Sequence, residues 1–442
     1  MNLYWINIVI LIAATVIILL PITKLRWAVF AFLVVAQLEM SGRDFASASM
    51  VGPENTWKSI VLPTLLLLRT RFWGLKYVQF NGIIKYWVLF VVLVAVSVLW
   101  SPFKLSGLKQ VGYLYTYSVT FLVFLYVWNH DSKGLLKIVV YSCIVSVIWA
   151  IIKTLLVHGS IFDTRVTTFA NPQSFALFLV LNLSAIIFMG RREGVKYLKI
   201  VIPFVFFGVI LTGSRTGFVS LIIFSMASIV FWVYEGKKIG RFAMLSFLMG
   251  GLVSVLIFLN SVFGYTINDI AKRHRVLTIL QLVDNKGIDQ ISTGVWRLGM
   301  YDHIVQRFLY KHSLREKIFG KGTSSVAEII VSGEYWYRDY TKNNVDANRL
   351  AHNEFLRALY EWGLIGFLVF LSLWVSVFGA LRKNIKKYKT YEYRVLVLGF
   401  VIVLLFMSVE NVLAVSASPA GLAISLLVVL LYHSNRSLNA KP

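Results

Sequence analysis

Apolar residues in this chain fall into long runs, not into the alternating or three-and-four spacings of half-buried soluble elements. A helix needs about 20 such residues to cross a hydrocarbon core with every backbone group bonded internally. About a dozen stretches approach that length: 3–20, 25–40, 57–68, 83–100, 111–128, 136–157, 172–189, 197–213, 216–234, 242–260, 355–381, 393–410 and 418–433. The third is short and carries Pro63, which predicts a segment that re-enters the membrane or lies half-buried against its neighbours. The pattern predicts an all-α polytopic membrane protein with about 12 transmembrane helices. One stretch, 261–350, breaks it, mixing both signs of charge with Trp, Tyr and Gly. A helical spacing runs through its Val295, Leu298, Tyr301, Ile304, Val305 and Phe308. At about 90 residues it is too long for a connector and is expected to fold as a large helical extracytoplasmic loop. The chain therefore divides into 1–260 (transmembrane helices), 261–350 (the loop) and 351–442 (the last transmembrane helices), with no internal repeat or low-complexity tract.

Composition agrees. Of 442 residues, 58% are hydrophobic and 14% charged, which excludes an ordinary soluble globule. The 44 Lys and Arg exceed the 20 Asp and Glu, leaving a formal charge of +24. In a soluble chain that excess would suggest nucleic acid. Here the basic residues alternate with spans, so the positive-inside rule explains them, anionic lipid is the expected partner and no nucleic acid is expected. Three short basic groups are expected to be cytoplasmic: Arg191, Arg192, Lys196 and Lys199; Lys237, Lys238 and Arg241; and Arg382, Lys383, Lys386, Lys387 and Lys389. Counting spans between them puts the 212–216 turn, the 261–350 loop and the 411–418 turn outside, with the C-terminal tail inside. Thirteen crossings would put Met1 outside and twelve inside. Cys143 stands alone, so neither a disulfide framework nor a thiolate metal site forms within the chain. The run 3–20 lacks a basic segment before it and a small-residue cleavage site after it, and reads as a retained span.

Three polar places map to the outer boundary. The first is Thr212-Gly213-Ser214-Arg215-Thr216-Gly217, where a helix starting near Thr216 would offer free N–H groups and its positive dipole end beside the Arg215 guanidinium, a setting for an anion. A lone arginine snorkelling to lipid headgroups explains the same residue equally well. The second is Arg297, near the start of an amphipathic helix whose apolar face would lie on the membrane; alone, it reads first as a solvated loop arginine. The third is Ala351-His352-Asn353-Glu354-Phe355-Leu356, where the loop re-enters the bilayer. His352 there suits proton transfer, and Asn353 orients a partner or caps the helix. Together they offer two guanidinium groups for a diphosphate and an imidazole for an attacking hydroxyl. The reaction they imply is displacement of a lipid diphosphate by an alcohol. No Asp-x-Asp pair for a divalent cation occurs anywhere, so neither metal nor cofactor is expected. His274, His303 and His312 are spaced too irregularly for metal ligands and read as solvated loop residues.

In this order the motifs resemble the bacterial O-antigen ligase and O-antigen polymerase superfamily. The matching elements are Thr168-Phe169-Ala170-Asn171-Pro172, Gly213-Ser214-Arg215-Thr216-Gly217, Arg297, and Ala351-His352-Asn353-Glu354-Phe355-Leu356 followed by Glu361-Trp362-Gly363-Leu364-Ile365-Gly366, spanning 165–375. Gln173 and Tyr301 depart from residues common at those positions. The resemblance implies a glycosyltransferase of the bacterial inner membrane that moves a glycan from undecaprenyl diphosphate on the periplasmic face, with inversion and without a metal. It implies donor diphosphate binding by Arg215 and Arg297, acceptor activation by His352, and supporting roles for Ser214, Asn171 and Asn353. A ligase would use a lipid A core sugar as acceptor, and a polymerase a second lipid-linked repeat. The motifs and the basic outer loop favour the ligase, while Leu99-Trp100-Ser101-Pro102 also resembles exopolysaccharide polymerases. A lipid-linked glycan transporter or flippase is the alternative of a different class. It would carry midplane charges and repeated broken helices, for which Glu410 and Asn411 are the best features.

Overall fold

The computed structural model describes residues 3–20, 23–36, 57–159, 166, 172–195, 198–235, 292–331, 353–409, 412–413 and 419–439. Among the described residues the secondary structure is helical, without strands. The helices are α1 (Leu3–Leu19), α2 (Leu25–Ala36), α3 (Leu62–Arg69), α4 (Gly82–Ser97), α5 (Lys104–His130), α6 (Ser132–His158), α7 (Pro172–Arg192), α8 (Leu198–Leu211) and α9 (Arg215–Tyr234). Then follow α10 (Ser292–Gln306), α11 (Leu314–Phe319), α12 (Ala327–Val331), α13 (Glu354–Tyr388), α14 (Tyr391–Val409) and α15 (Pro419–Asn439). Six of the described helices are long and apolar enough to cross a membrane, and five shorter apolar ones accompany them. The expected span at 242–260 lies outside the described residues.

Polar residues set the joints between apolar runs. The Asn81 carboxamide accepts the Ile84 N–H at the start of α4, and the Asp131 carboxylate accepts the Gly134 N–H at 2.8 Å, so a single residue separates α5 from α6. The short third span keeps Pro63 in the first turn of a helix. A wide π turn at Trp57–Val61 runs into α3, Arg71 and Phe72 turn left-handed, and a tight turn at Trp73–Tyr77 continues alongside α5. Helix α7 is buried over nearly its whole length, surrounded by α6, α8, α9, α14 and α15.

The bundle has two chemically distinct ends. At one, Arg191 stacks on Tyr391 and approaches Glu392 at 3.7 Å, Arg192 stacks on Trp128, and the Ser132 hydroxyl donates to Glu193. The last turns of α13, with Arg382, Lys383, Lys386, Lys387 and Lys389, lead directly into this cluster. Two of the three basic groups therefore share a face, while Lys237, Lys238 and Arg241 lie outside the described residues.

At the opposite end the 320–325 segment is latched to the bundle. Thr323 is the hub: its hydroxyl meets the Ser97 hydroxyl at 2.6 Å, donates to the Val94 carbonyl and accepts the Trp362 indole N–H, while its carbonyl accepts the Ser101 hydroxyl. Two glycines make the latch possible. Gly363 interrupts α13 at φ 63° because the backbone of Gly320 lies against it, and a Cβ there would sit 2.5 Å from the Gly320 nitrogen and the Ile318 oxygen. The expected uninterrupted span 355–381 is thus two helical pieces joined at a tertiary contact.

Candidate active site

The Gly213–Gly217 turn is built by its own side chains. Gly213 takes the left-handed conformation that ends α8, the Thr212 hydroxyl accepts the Ser214 N–H, and the buried Ser214 hydroxyl accepts the Gly217 N–H at 3.1 Å. Ser214 is therefore the cap of α9, and Arg215 its first residue, where the unpaired N–H groups of a helix start and its positive dipole end lie. Gly217 rests on Ala176 so closely that an added Cβ would collide with it, which fastens the start of α9 to the start of α7. The Val166 N–H donates to the Leu211 carbonyl, which places Val166 at the end of α8. The Arg215 side chain and Asn171 lie outside the described residues.

The start of α13 carries a second, more heavily bonded construction. The Asn353 carboxamide oxygen accepts the Phe355 and Leu356 N–H groups, both at 3.0 Å, so Asn353 caps the helix. Behind it lies a buried ion triad. Arg357 donates through Nε to Glu361 and through Nη1 to Glu354, each at 3.0 Å, and through Nη2 to the Gln110 carbonyl oxygen on α5. Its guanidinium lies 5.0 Å from the centre of the Trp362 ring. The second oxygen of Glu354 accepts the Leu413 N–H at 2.7 Å, which ties the turn after α14 to the same point. His352, one residue before the cap, lies outside the described residues.

Helix α10 brings Arg297 toward this start, though the Arg297 side chain lies outside the described residues. Of its apolar residues, Met300 and Ile304 pack on Tyr360, Val326 and Ile329, with Tyr301 and Leu356 at the edge. The aromatic ring of Tyr360, one turn into α13, is the surface they needed. His312 is likewise buried, 6% exposed, where the sequence suggested a solvated ring. It lies 4.6 Å from the Tyr360 ring and 5.5 Å from Phe308, and burial pushes its imidazole down to about 4.

Each of these groups maps to the end opposite the cationic cluster. Helix α7 finishes among Arg191 and Arg192, so its start, with Ala176 and the 213–217 turn, lies at the other end. Helix α13 finishes beside Tyr391, so its start, with Arg357, Gln110, α10 and Leu413, also lies there. Glu354 and Glu361 stand in the motifs quoted from sequence, but Arg357 and the triad it forms with them were not singled out. The signal for the triad was present, since positions 354, 357 and 361 share one helical face at the head of an apolar helix, where charges turn inward to meet partners. Among the described residues no group of three or more His, Cys, Asp or Glu side chains is arranged to hold a metal ion.

Comparison with known proteins adds one finding. Residues 200–371, from α8 through the middle of α13, match the family model described as O-Antigen ligase. No curated protein matches the chain. The family match supports the superfamily indicated by the motifs and, with the apolar helices, a multi-pass membrane enzyme of the general glycosyltransferase type.

Proposed function

We propose, from a chain that carries an O-antigen ligase segment at residues 200–371, that the protein moves a glycan from undecaprenyl diphosphate to a sugar hydroxyl of lipid A core on the periplasmic face of the inner membrane. The observation that carries this reading is the packing of α10 on the first turns of α13 through Met300, Ile304, Leu356 and Tyr360. It sets α10, the helix that bears Arg297, against the first two turns of α13, whose cap Asn353 follows His352 in the chain. The start of α9, with Arg215 as its first residue, lies at the same end of the bundle.

In the proposed reaction the acceptor hydroxyl oxygen attacks the anomeric carbon from the face opposite the diphosphate. The new carbon–oxygen bond forms as the bond to the phosphate oxygen breaks, so the anomeric configuration inverts. His352 takes the hydroxyl proton, and the electron pair leaves with the diphosphate. Arg215 and Arg297 stabilise its growing charge by charge-assisted hydrogen bonds, together with the N–H groups at the start of α9. Fixed guanidinium charge here does what a divalent cation does in other diphosphate-leaving reactions. Ser214 and Asn353 support the site by capping the helices that carry or follow these groups, and Asn171, which immediately precedes α7 in the chain, is assigned a supporting role from the motif alone.

The test uses purified protein, undecaprenyl-diphosphate-linked glycan and lipid A core. His352→Ala and Arg215→Ala are each expected to abolish transfer while the protein still inserts and folds; full activity in both sinks the reading. A polymerase would use a second lipid-linked repeat as acceptor in the same assay. The Leu99-Trp100-Ser101-Pro102 boundary, whose Ser101 is bonded to Thr323 at this end, favours keeping that arm.

A further inference from the structure

The geometry assigns Arg357 a positioning role in the transfer reaction. With Glu354 and Glu361 it locks the first turns of α13 to α5 and to residues 412–413, and so fixes Asn353 and Glu354, to which His352 is joined by the next peptide bond. The inference rests on the reading above, in which His352 takes the acceptor proton.

The planar guanidinium has donors in three directions, and Arg357 uses them on three different partners: Glu361 through Nε, Glu354 through Nη1 and Gln110 through Nη2. Glu354 passes the constraint on, since its other oxygen accepts the Leu413 N–H at 2.7 Å. Asn353 adds a second constraint with its two cap hydrogen bonds. Two independent sets of bonds therefore converge on positions 353 and 354, immediately after His352. Arg357 itself is 2% exposed, Glu354 1% and Glu361 0%, and none of them reaches solvent to touch a substrate.

The fold does not need ions for this. A buried arginine between two carboxylates is costly to desolvate, and apolar or neutral residues of similar shape often serve stability as well or better. What ions with fork geometry supply is direction. A base must stand within hydrogen-bond reach of the proton it takes, and a misplacement of about 1 Å costs about 100-fold in rate. The triad ties the start of α13 to two other parts of the chain, Gln110 and Leu413, at the point where such an error would matter.

The experiment compares the full chain with a charge-neutral triple variant, E354Q/R357M/E361Q, which avoids stranding unpaired carboxylates. Donor is undecaprenyl-diphosphate-linked glycan. The triple variant is expected to melt near the wild-type temperature, with kcat per folded molecule lowered about 100-fold and donor KM changed less than about threefold. Arg357→Lys keeps the charge but not the fork, and is expected to lower kcat about tenfold at unchanged KM. A folded triple variant with wild-type kcat, or a rise in KM at constant kcat, overturns the proposal. Should the triple variant fail to fold, Arg357→Lys and Gln110→Leu decide, and wild-type kcat in both overturns it. His352→Ala is run beside them. Full activity there removes the functional reading and this proposal together, whereas abolished activity there with normal kcat in a folded triple variant removes this proposal alone.

Discussion

His312 illustrates how far a single side chain departs from what its composition suggests. Its ring is sandwiched against Tyr360 and Phe308, and neither ring nitrogen has a hydrogen-bond partner among the described residues. Burial lowers its proton affinity, Glu316 and Glu328 nearby oppose the shift, and Lys321 and Arg307 add to it, leaving the folded value at about 4. An unfolded imidazole titrates at about 6.5. Between those two values the unfolded chain binds a proton that the folded chain does not, so stability rises with pH across this window. The neutral ring's contribution is complete above about 6.5 and is progressively lost as pH falls toward 4. The melting temperature of the purified protein is therefore expected to fall between pH 6.5 and 4. His312→Phe, which keeps an aromatic ring in the same place, is expected to flatten that part of the profile. An unchanged slope in the variant would show that other groups set it.

At the scale of the element, α13 is the most instructive. Apolar residues lie on both sides of residue 363, and hydropathy therefore draws one span. The break comes from outside the helix, where the Gly320 backbone presses on Gly363 and leaves no room for a Cβ on either residue. Gly363→Ala would force an L side chain into the left-handed region and into that contact. It is expected to destabilise the protein by about 2 kcal/mol or more, read as a lower melting temperature, with Leu364→Ala at an exposed neighbouring position as the mild control. What was legible from sequence follows the same division. The helical character of the apolar runs, the helix through Tyr301 and Ile304, and Asn353 as a cap all depend on residues close together in the chain. The Gly320–Gly363 contact, the Thr323 hub and the Gln110 arm of the Arg357 triad depend on residues far apart in it, and no local pattern announces them. His312 was misjudged for the same reason, because its burial is supplied by Tyr360 from another element.

For the whole molecule, the two ends differ in chemistry as well as in fold. One collects Arg191, Arg192 and the basic last turns of α13; the other collects the capped helix starts, the triad and the latch. The positive-inside rule orients this polarity with the cationic end in the cytoplasm. Cys143 is fully buried, so the native thiol gives a silent background for labelling with a membrane-impermeant maleimide. In intact spheroplasts, a cysteine placed by Leu314→Cys, at a position 75% exposed, is expected to label, and one placed by Lys387→Cys only after permeabilisation. The reverse pattern would invert the orientation and move the candidate site to the cytoplasm. The backbone contact between Gly320 and Gly363 also bears on how such proteins can be recombined. The segment that holds Gly320 and the helix that holds Gly363 meet without side chains between them, so a transplanted segment brings its own half of that fit and must find the other half in its host. Chimeras that exchange residues 314–331 alone will inherit a mismatched seam, whereas exchanges running from α11 through the Gly363 break carry both halves as one heritable unit.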